Sequence, residues 1–426
     1  MNRWPRLAVP YGDTFLDLPD APFRLDLLPG PVRPPRHSAP PRLGAALSLP
    51  IGSPALEEAV RGGRRVLVVV SDATRATGSA EFLPVLVERI LRVGRPSITF
   101  IVASGIHRRP TDAEIEGIVS PQLVARHPVL RHDADDATRL VDVGTTRGGT
   151  PVRVHASLRE HDRVILTGVA GFHYTAGFSG GRKALVPGLA ARDTITRSHL
   201  RSLTAAGARA SGARAGRLAR NPMHRDIVEG AALTPPHFLL NTVLEERGRI
   251  EGVFAGHWRR AHEAACRYLR ATRVVAVEPR DLVVASAGGE PSDINLIQAH
   301  KTFETAVGAV RREGTVILVA RCREGAGHPE FLPWFRFQEE SEFVEELGRN
   351  FQVYGQTALS WFRKTRSHHL ILVSDLPEAV VRSLRAAPAR DLEEAFRLAR
   401  ERAGPGARGW LLTGGASTLI EPAASA

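Results

Sequence analysis

Only three lysines, Lys183, Lys301 and Lys364, stand among the 57 basic side chains of this 426-residue chain, and the other 54 are arginine. Arg is a planar, permanently charged fork, whereas a Lys amine can deprotonate and become a nucleophile. In a chain that uses Arg wherever a solvated positive charge serves, each surviving amine is a candidate for chemistry that a guanidinium cannot do. Lys183 closes the densest motif, Gly177-Phe-Ser-Gly-Gly-Arg-Lys183, and five glycines fall between 168 and 181. Glycine at that density lets backbone approach a ligand closely or adopt positive φ. The spelling is not a magnesium-nucleotide loop, because Ala184 replaces the Ser or Thr that would hold the metal, and no GxGxxG is present. Gly180, Gly181 and Lys183 therefore read as an anion loop whose lysine is either a point charge for phosphate or a covalent anchor for a cofactor. The bland alternative is a glycine loop with a salt-bridged lysine.

Histidine supplies the next candidates. His107, in Ala103-Ser-Gly-Ile-His-Arg-Arg-Pro110, follows a buried-strand pattern and a glycine, a suitable place for a general base. His173 lies within the glycine-rich stretch. With 16 histidines in the chain, each one alone is weak. His199, in Asp193-Thr-Ile-Thr-Arg-Ser-His199, has no second histidine at i+4, and no HExxH or cysteine pair accompanies it, so spacing alone makes it structural. Ser71-Asp-Ala-Thr-Arg75 places Asp72 and two hydroxyls at a strand's end, with Arg75 able to clamp a carboxylate or phosphate bidentately. A capped helix start explains the same letters. In Ala287-Gly-Gly-Glu-Pro-Ser-Asp293, Ser292 or Asp293 is expected to cap a helix. Gln298 and Lys301 would then share one face of it.

Such residues need strands to deliver them. Apolar runs at 66–70, 98–103, 164–167 and 238–244 predict strands, the first three leading toward helices. A capping-box spelling, Thr111-Asp-Ala-Glu114, starts one of those helices. A second series predicts strand 282–285, helix 293–310, strand 315–320, helix 343–349, strand 370–374, helix 391–402 and strand 410–413. An amphipathic helix over 257–272 joins the two. The first 50 residues hold 11 of the 30 prolines and read as a hairpin over 6–20, then irregular chain. Residues 202–221 read as a mobile excursion. The alternation predicts an α/β protein of two Rossmann-like domains, 1–272 for cofactor and 273–426, with the active site in an interdomain cleft beyond the carboxyl ends of the strands. The last strand is a candidate to pack back on the first domain.

Composition excludes other classes. Hydrophobic residues at 43% and charged ones at 24% are ordinary for a globular protein. Cys266 and Cys322 cannot make a disulfide framework or a Cys-based zinc site, which fits a reducing cytoplasm. No run approaches 18 apolar residues and the start lacks a signal-peptide core, so no membrane partner is expected. A net charge of +12 permits nucleic-acid binding. The arginines are nevertheless mixed with acids, except over 197–225, where seven stand without one. Anionic small ligands are expected rather than nucleic acid.

Taken in order, Ser71-Asp-Ala-Thr-Arg75, Ser104-Gly-Ile-His107, Gly177-Phe-Ser-Gly-Gly-Arg-Lys183, Asn221-Pro-Met-His224 and Ser292-Asp-Ile-Asn-Leu-Ile-Gln298 resemble the nickel-pincer-dependent lactate racemase family. The motifs span roughly 65–330, about 60% of the chain. The resemblance implies a cofactor: a nickel(II) pincer of pyridinium-3-thioamide-5-thiocarboxylic acid mononucleotide, tethered covalently at Lys183, with His199 as the protein ligand to nickel. It implies His107 and His173 as the acid/base pair, Arg75, Gln298 and Lys301 as substrate holders, and Asp72 in the matching polar loop. Partners would be the proteins that build the cofactor. Neither the oligomeric state nor a role for Lys364 follows.

The implied chemistry is coherent. A hydrogen on Cα beside a carboxylate is a poor acid, so removing it as hydride while a base takes the hydroxyl proton gives a planar 2-keto acid. Redelivery to the other face inverts the centre, and two histidines on opposite sides exchange roles. The cofactor is the electron sink. One departure bears on substrate: lactate-acting members carry an aromatic residue just before the glutamine, and this chain has Ile297. The resemblance thus leaves open an epimerase of a longer or sugar-derived 2-hydroxy acid. A non-catalytic nucleotide-binding protein on the same fold and a pyridoxal-phosphate enzyme using Lys183 are the readings from other classes.

Overall fold

The computed structural model describes residues 7–30, 40–245, 248–404 and 406–423. The chain forms two compact units, one within residues 33–204 and 208–272, the other within residues 1–32, 205–207 and 273–426. Each is an α/β structure built on its own six-stranded sheet.

In the first unit the sheet runs Val129–Arg131, Ser97–Ala103, Arg65–Ser71, Arg163–Val169, Phe238–Leu244, Ile250–Gly256. In chain order that is 3-2-1-4-5-6, and all neighbours are parallel except the last pair. Val66 to Val70 are all at most 1% exposed. Helices cover both faces of such a sheet, which is why these strands are unbroken apolar runs and not alternating ones. The order reverses between Arg65–Ser71 and Arg163–Val169, and crevices at such a switch point are where open α/β sheets bind ligands. The expected strands are present. The antiparallel strand Ile250–Gly256 and a hairpin of Leu140–Thr145 with Pro151–His155 add to the expected set. The capping box at Thr111 and Glu114 is formed and opens helix Asp112–Val119.

In the second unit all six strands are parallel, in the order Ala386–Ala389, His369–Val373, Val310–Val319, Arg280–Ser286, Arg408–Leu412, Arg24–Leu27. Two expectations are corrected here. Residues 7–30 belong to this unit and not to the first, because Arg24–Leu27 forms an edge of its sheet. Arg280 holds that strand: its guanidinium bonds Asp26 at 2.7 Å and the Gly409 carbonyl at 2.8 Å, and stacks 3.4 Å from the Trp410 ring centre. Strand Arg408–Leu412, the candidate to pack back, is a member of the second unit's own sheet. It is enclosed in the second sheet between Arg280–Ser286 and Arg24–Leu27. The hairpin expected over 6–20 forms as Ala8–Tyr11 with Thr14–Asp17.

Three local expectations are also revised. The helix predicted over 293–310 is Leu296–Ala306, and its cap is Asn295, whose side chain accepts from Gln298 N at 3.0 Å. Asp293 is fully buried and occupied elsewhere: Oδ2 accepts from Gly12 N at 2.7 Å and Arg321 N at 3.1 Å. A helix outside the expected series, Val353–Ser367, carries buried Tyr354, Ala358, Trp361 and Phe362 at helical spacing. Residues 202–221 hold no helix or strand, yet they are packed. Gly216 N donates to Gly177 O at 2.9 Å and Asn221 Nδ2 to Thr175 O at 2.8 Å, tying this segment to the glycine-rich loop. Among the described residues no helix is long and apolar enough to cross a membrane.

Candidate active site

The switch point of the first sheet delivers the first cluster. Asp72 stands one residue past strand Arg65–Ser71, and His107 four past the neighbouring strand Ser97–Ala103. His107 Nδ1 donates to Asp72 Oδ2 at 2.7 Å. The other carboxylate oxygen, Oδ1, accepts from Thr74 N at 3.0 Å and Thr74 Oγ1 at 2.6 Å, the local turn that Asp favours. Burial by itself would raise the Asp72 pKa. His107, Arg75 and the Thr74 hydroxyl outweigh it and bring the carboxyl down to about 2. An ionised Asp72 keeps the proton on Nδ1, so the lone pair of His107 is on Nε2.

Strand Arg163–Val169 delivers the second cluster. A two-residue hairpin, Phe172–His173 with Gly177–Phe178, leads into the tight turn Gly181–Ala184. His173 Nδ1 accepts from Thr175 N at 3.3 Å and Ala176 N at 3.2 Å, and its ring stacks on Tyr174 with centres 5.2 Å apart. A ring whose Nδ1 accepts carries its proton on Nε2 when neutral. The hydrogen bonds therefore assign the two histidines opposite tautomers: His107 offers a lone pair at Nε2, His173 an N–H.

Arg182 holds this loop through its guanidinium. It is 1% exposed. Nη1 donates to Phe178 O at 2.8 Å and lies 2.7 Å from His262 Nε2, while Nη2 donates to Ala176 O at 3.0 Å. No carboxylate pairs with it among the described residues, and burial lowers its pKa to about 10. His262 packs in turn against Gly181, where φ is +55° and a methyl group would lie 2.6 Å from His262 Cγ. Gly180 is confined similarly by the Val169 carbonyl and Asn241. The only sequence signal for Arg182 is its place beside Lys183, because nothing local distinguishes a buried arginine from a surface one. Arg182→Met strands these carbonyls. We expect it to lower unfolding stability by about 2–3 kcal/mol, read as a shift of the urea midpoint. An unchanged midpoint would show that the loop holds without it.

His199 lies on helix Arg192–Leu200 and is 8% exposed. Nδ1 donates to Ile195 O at 2.8 Å, leaving the Nε2 lone pair. Burial first, then the nearby Lys183 charge, lower its pKa to about 4, so the ring is neutral at neutral pH. A neutral imidazole anchored through Nδ1 to a carbonyl is the usual arrangement of a metal-ligating histidine. Among the described residues no group of three or more His, Cys, Asp or Glu side chains could hold a metal by itself.

In the second unit, helix Leu296–Ala306 carries Gln298 and Lys301, and Lys301 Nζ donates to Gln298 Oε1. Gln298 is 4% exposed. Lys364, to which the sequence assigns no role, docks this helix. Its amine pairs with Glu304 at 2.5 Å and lies 3.1 Å from His300 Nε2, both residues of the same helix, and donates to Ser360 Oγ at 2.6 Å. Within the first unit the structure thus gathers Asp72 with Arg75 and His107, and Lys183 with His199. Gln298 and Lys301 form a separate pair in the second.

Two family models match the chain: the lactate racemase N-terminal domain over residues 11–211 and the lactate racemase C-terminal domain over 275–420. The lactate racemase of Lactiplantibacillus plantarum is 30% identical over 383 residues, covering 88% of this chain and 89% of that protein. That of Thermoanaerobacterium thermosaccharolyticum is 29% identical over 408 residues, covering 92% and 94%. The solved apoprotein structure of the latter superposes with a TM-score of 0.86 at 27% identity, over 98% of this chain and all of that one. A Thermotoga maritima protein shares the fold with a TM-score of 0.69 at 19% identity, over 86% of this chain and 96% of that one. With relatives this similar over nearly the full length of both chains, this protein belongs to the lactate racemase family and is an isomerase.

Proposed function

We propose that the chain racemises a small 2-hydroxy acid, with lactate the first candidate, by moving the Cα hydrogen as hydride while a histidine handles the hydroxyl proton. The observation that carries this is a pair of prepared imidazoles in one unit. His107 is held by Asp72 and His199 by Ile195, each with its lone pair on Nε2. We assign Lys183 as the covalent tether and His199 as the protein ligand of a nickel-pincer pyridinium mononucleotide. The donor set suits that group, since one neutral imidazole beside one amine, without a three-ligand cage, fits a metal that brings its own ligands. When bound, such a pincer supplies a hydride acceptor.

The chain's own residues do the rest. His107 Nε2 takes the hydroxyl proton, and the Asp72 carboxylate stabilises the imidazolium that results. Arg75 is assigned to the substrate carboxylate, and Gln298 and Lys301 to substrate oxygens. His173 serves from Nε2–H as a hydrogen-bond donor. For the opposite enantiomer it must become the base, which requires its Nδ1 to leave the Thr175 and Ala176 amides. Epimerisation of a longer or sugar-derived acid is the second reading, motivated by Ile297, half-buried where lactate-acting members have an aromatic ring. A cytoplasmic location, with dependence on cofactor-building proteins, belongs to the same proposal.

Protein from cells that make the cofactor tests it. Chirality followed over 2-hydroxy acids of increasing length should show racemisation, and in D2O the product should carry no deuterium at Cα. Deuterium at Cα would overturn hydride transfer. Failure of nickel-loaded protein on every acid would overturn the whole reading.

A further inference from the structure

The Asn221-Pro-Met-His224 motif and the arginine-rich segment are not absorbed by the proposed mechanism, and they meet in one cavity. It has a volume of about 770 Å³ and lies wholly within the first unit. Arg220 and Arg225 line it from the segment, and Arg147 lines it from the end of the Leu140–Thr145 hairpin. None of Asp72, Arg75, His107, His173, Lys183 or His199 does.

We propose that this cavity is a second ligand site, distinct from the glycine-rich loop, and that it takes a phosphate monoester with an apolar body. Four observations carry the inference. First, the guanidiniums of Arg147, Arg220 and Arg225 have no hydrogen-bond or ion-pair partner among the described residues, whereas Arg259 on the same wall is paired with Glu263 at 2.9 Å. Glu229 is the one other carboxylate on the wall, and it accepts from the Arg147 backbone N–H at 2.9 Å. Positive charge therefore remains in excess.

Second, His224 lines the cavity, is only 9% exposed, and its Nδ1 has no hydrogen-bond partner among the described residues. Buried polar atoms are rarely left so. Third, the motif opens an 11-residue helix, Pro222–Ala232, capped by Asn221. Its positive end lies at the wall that Asn221 and His224 form, and such ends favour anions. The buried Arg182 cation, which no carboxylate balances, acts electrostatically on His224 and adds to the same field.

Fourth, Leu218, Val228 and Leu233 also line the cavity and give it an apolar wall. Charge selects the head group and this wall the body. A phosphate monoester carries about −1.5 to −2 charge at neutral pH, and planar guanidiniums grip its oxygens in pairs. Pockets of about 300–1,000 Å³ hold ligands of that size.

The inference does not depend on the racemase reading, so either can fail alone. Phenyl phosphate titrated into the full chain by calorimetry is the test, with inorganic phosphate and phenol as comparison probes. Saturable phenyl phosphate binding is expected, at least about tenfold weaker in Arg147→Ala and in Arg225→Ala, a charge-assisted bond's worth. Both are exposed side chains, so the variants should melt like the parent. Lys183→Ala and Arg75→Ala should bind the probe unchanged. Inorganic phosphate should bind about tenfold more weakly, since burying a phenyl ring is worth more than about 1.4 kcal/mol, and phenol should not bind. Absence of binding, or binding lost in Lys183→Ala and kept in the arginine variants, would overturn the site. Equal affinity for inorganic phosphate would overturn the apolar half of the assignment.

Discussion

Lys183→Ala is expected to reduce turnover to background, a loss of at least about 10⁴-fold if the tethered group carries the hard step. The more informative variant is Lys183→Arg. A guanidinium preserves the positive charge in the glycine-rich loop, but it is never a free amine in a protein and cannot form the tether. Under the proposal it is as inactive as alanine. Intact mass should show an added group on the parent chain, mapped to Lys183, and none on either variant. Should Lys183→Arg recover a substantial part of the activity, the lysine would be a point charge holding an anion. The chain would then work without covalent attachment.

Asp72→Asn is expected to lower kcat by about 10²–10⁴ with little change in KM, the range seen when the carboxylate that orients a histidine base is neutralised. Asparagine matches the shape but leaves Nδ1 free to choose its tautomer, and no longer balances a proton gained at Nε2. The same substitution has a stability signature. The folded carboxyl titrates at about 2, below its ordinary 3.8, so linkage makes the charged form stabilising by roughly 2 kcal/mol. Because the folded pKa is the lower one, that contribution is complete above about pH 4 and lost as pH falls through about 2. Parent and variant should therefore differ in urea midpoint at pH 7 and converge in acid. Unchanged kcat would remove His107 from the role of base.

Substrate is a separate matter from mechanism in this chain. Arg75, Gln298 and Lys301, as proposed, are polar holders that any 2-hydroxy acid could use. Under the proposed function, Ile297 is the position that would separate one acid from another, and it is smaller than a ring. Discrimination by one apolar side chain is worth only about 1–3 kcal/mol, so a panel of acids should show graded preference and not exclusion.

What is legible in the sequence is local. Val66 to Val70 are an unbroken apolar run because both faces of their strand are covered, so the run itself announces a buried parallel strand. The capping box at Thr111 and Glu114 closes within one helical turn, so its letters suffice. The scarcity of lysine singles out Lys183, Lys301 and Lys364 from composition alone, without telling the Lys364 amine from the other two. Helix Val353–Ser367 has a legible 3.6-residue period too, although it stands outside the expected series. By contrast, Ser292 and Asp293 have the chemistry of a cap, and Asn295 takes the position because Gly12, remote in sequence, claims the Asp293 carboxylate. The edge strand Arg24–Leu27 cannot be placed from its own four residues, since its partner lies almost 400 residues away.

The sequence by itself determined the α/β class, most strands of the two sheets, and the candidate residues for the chemistry, because periodicity, caps and glycine freedom act over a few residues. Tertiary structure alone decided their states. The lone pair of His107 is on Nε2 because Asp72, 35 residues earlier, holds its Nδ1. Arg182 is a buried clamp because the loop folds over it. Lys364 supports the Lys301 helix because Glu304 and His300 reach it across 60 and 64 residues of chain. Protonation and burial are set by neighbours in space, and those neighbours are not written beside the residues they govern.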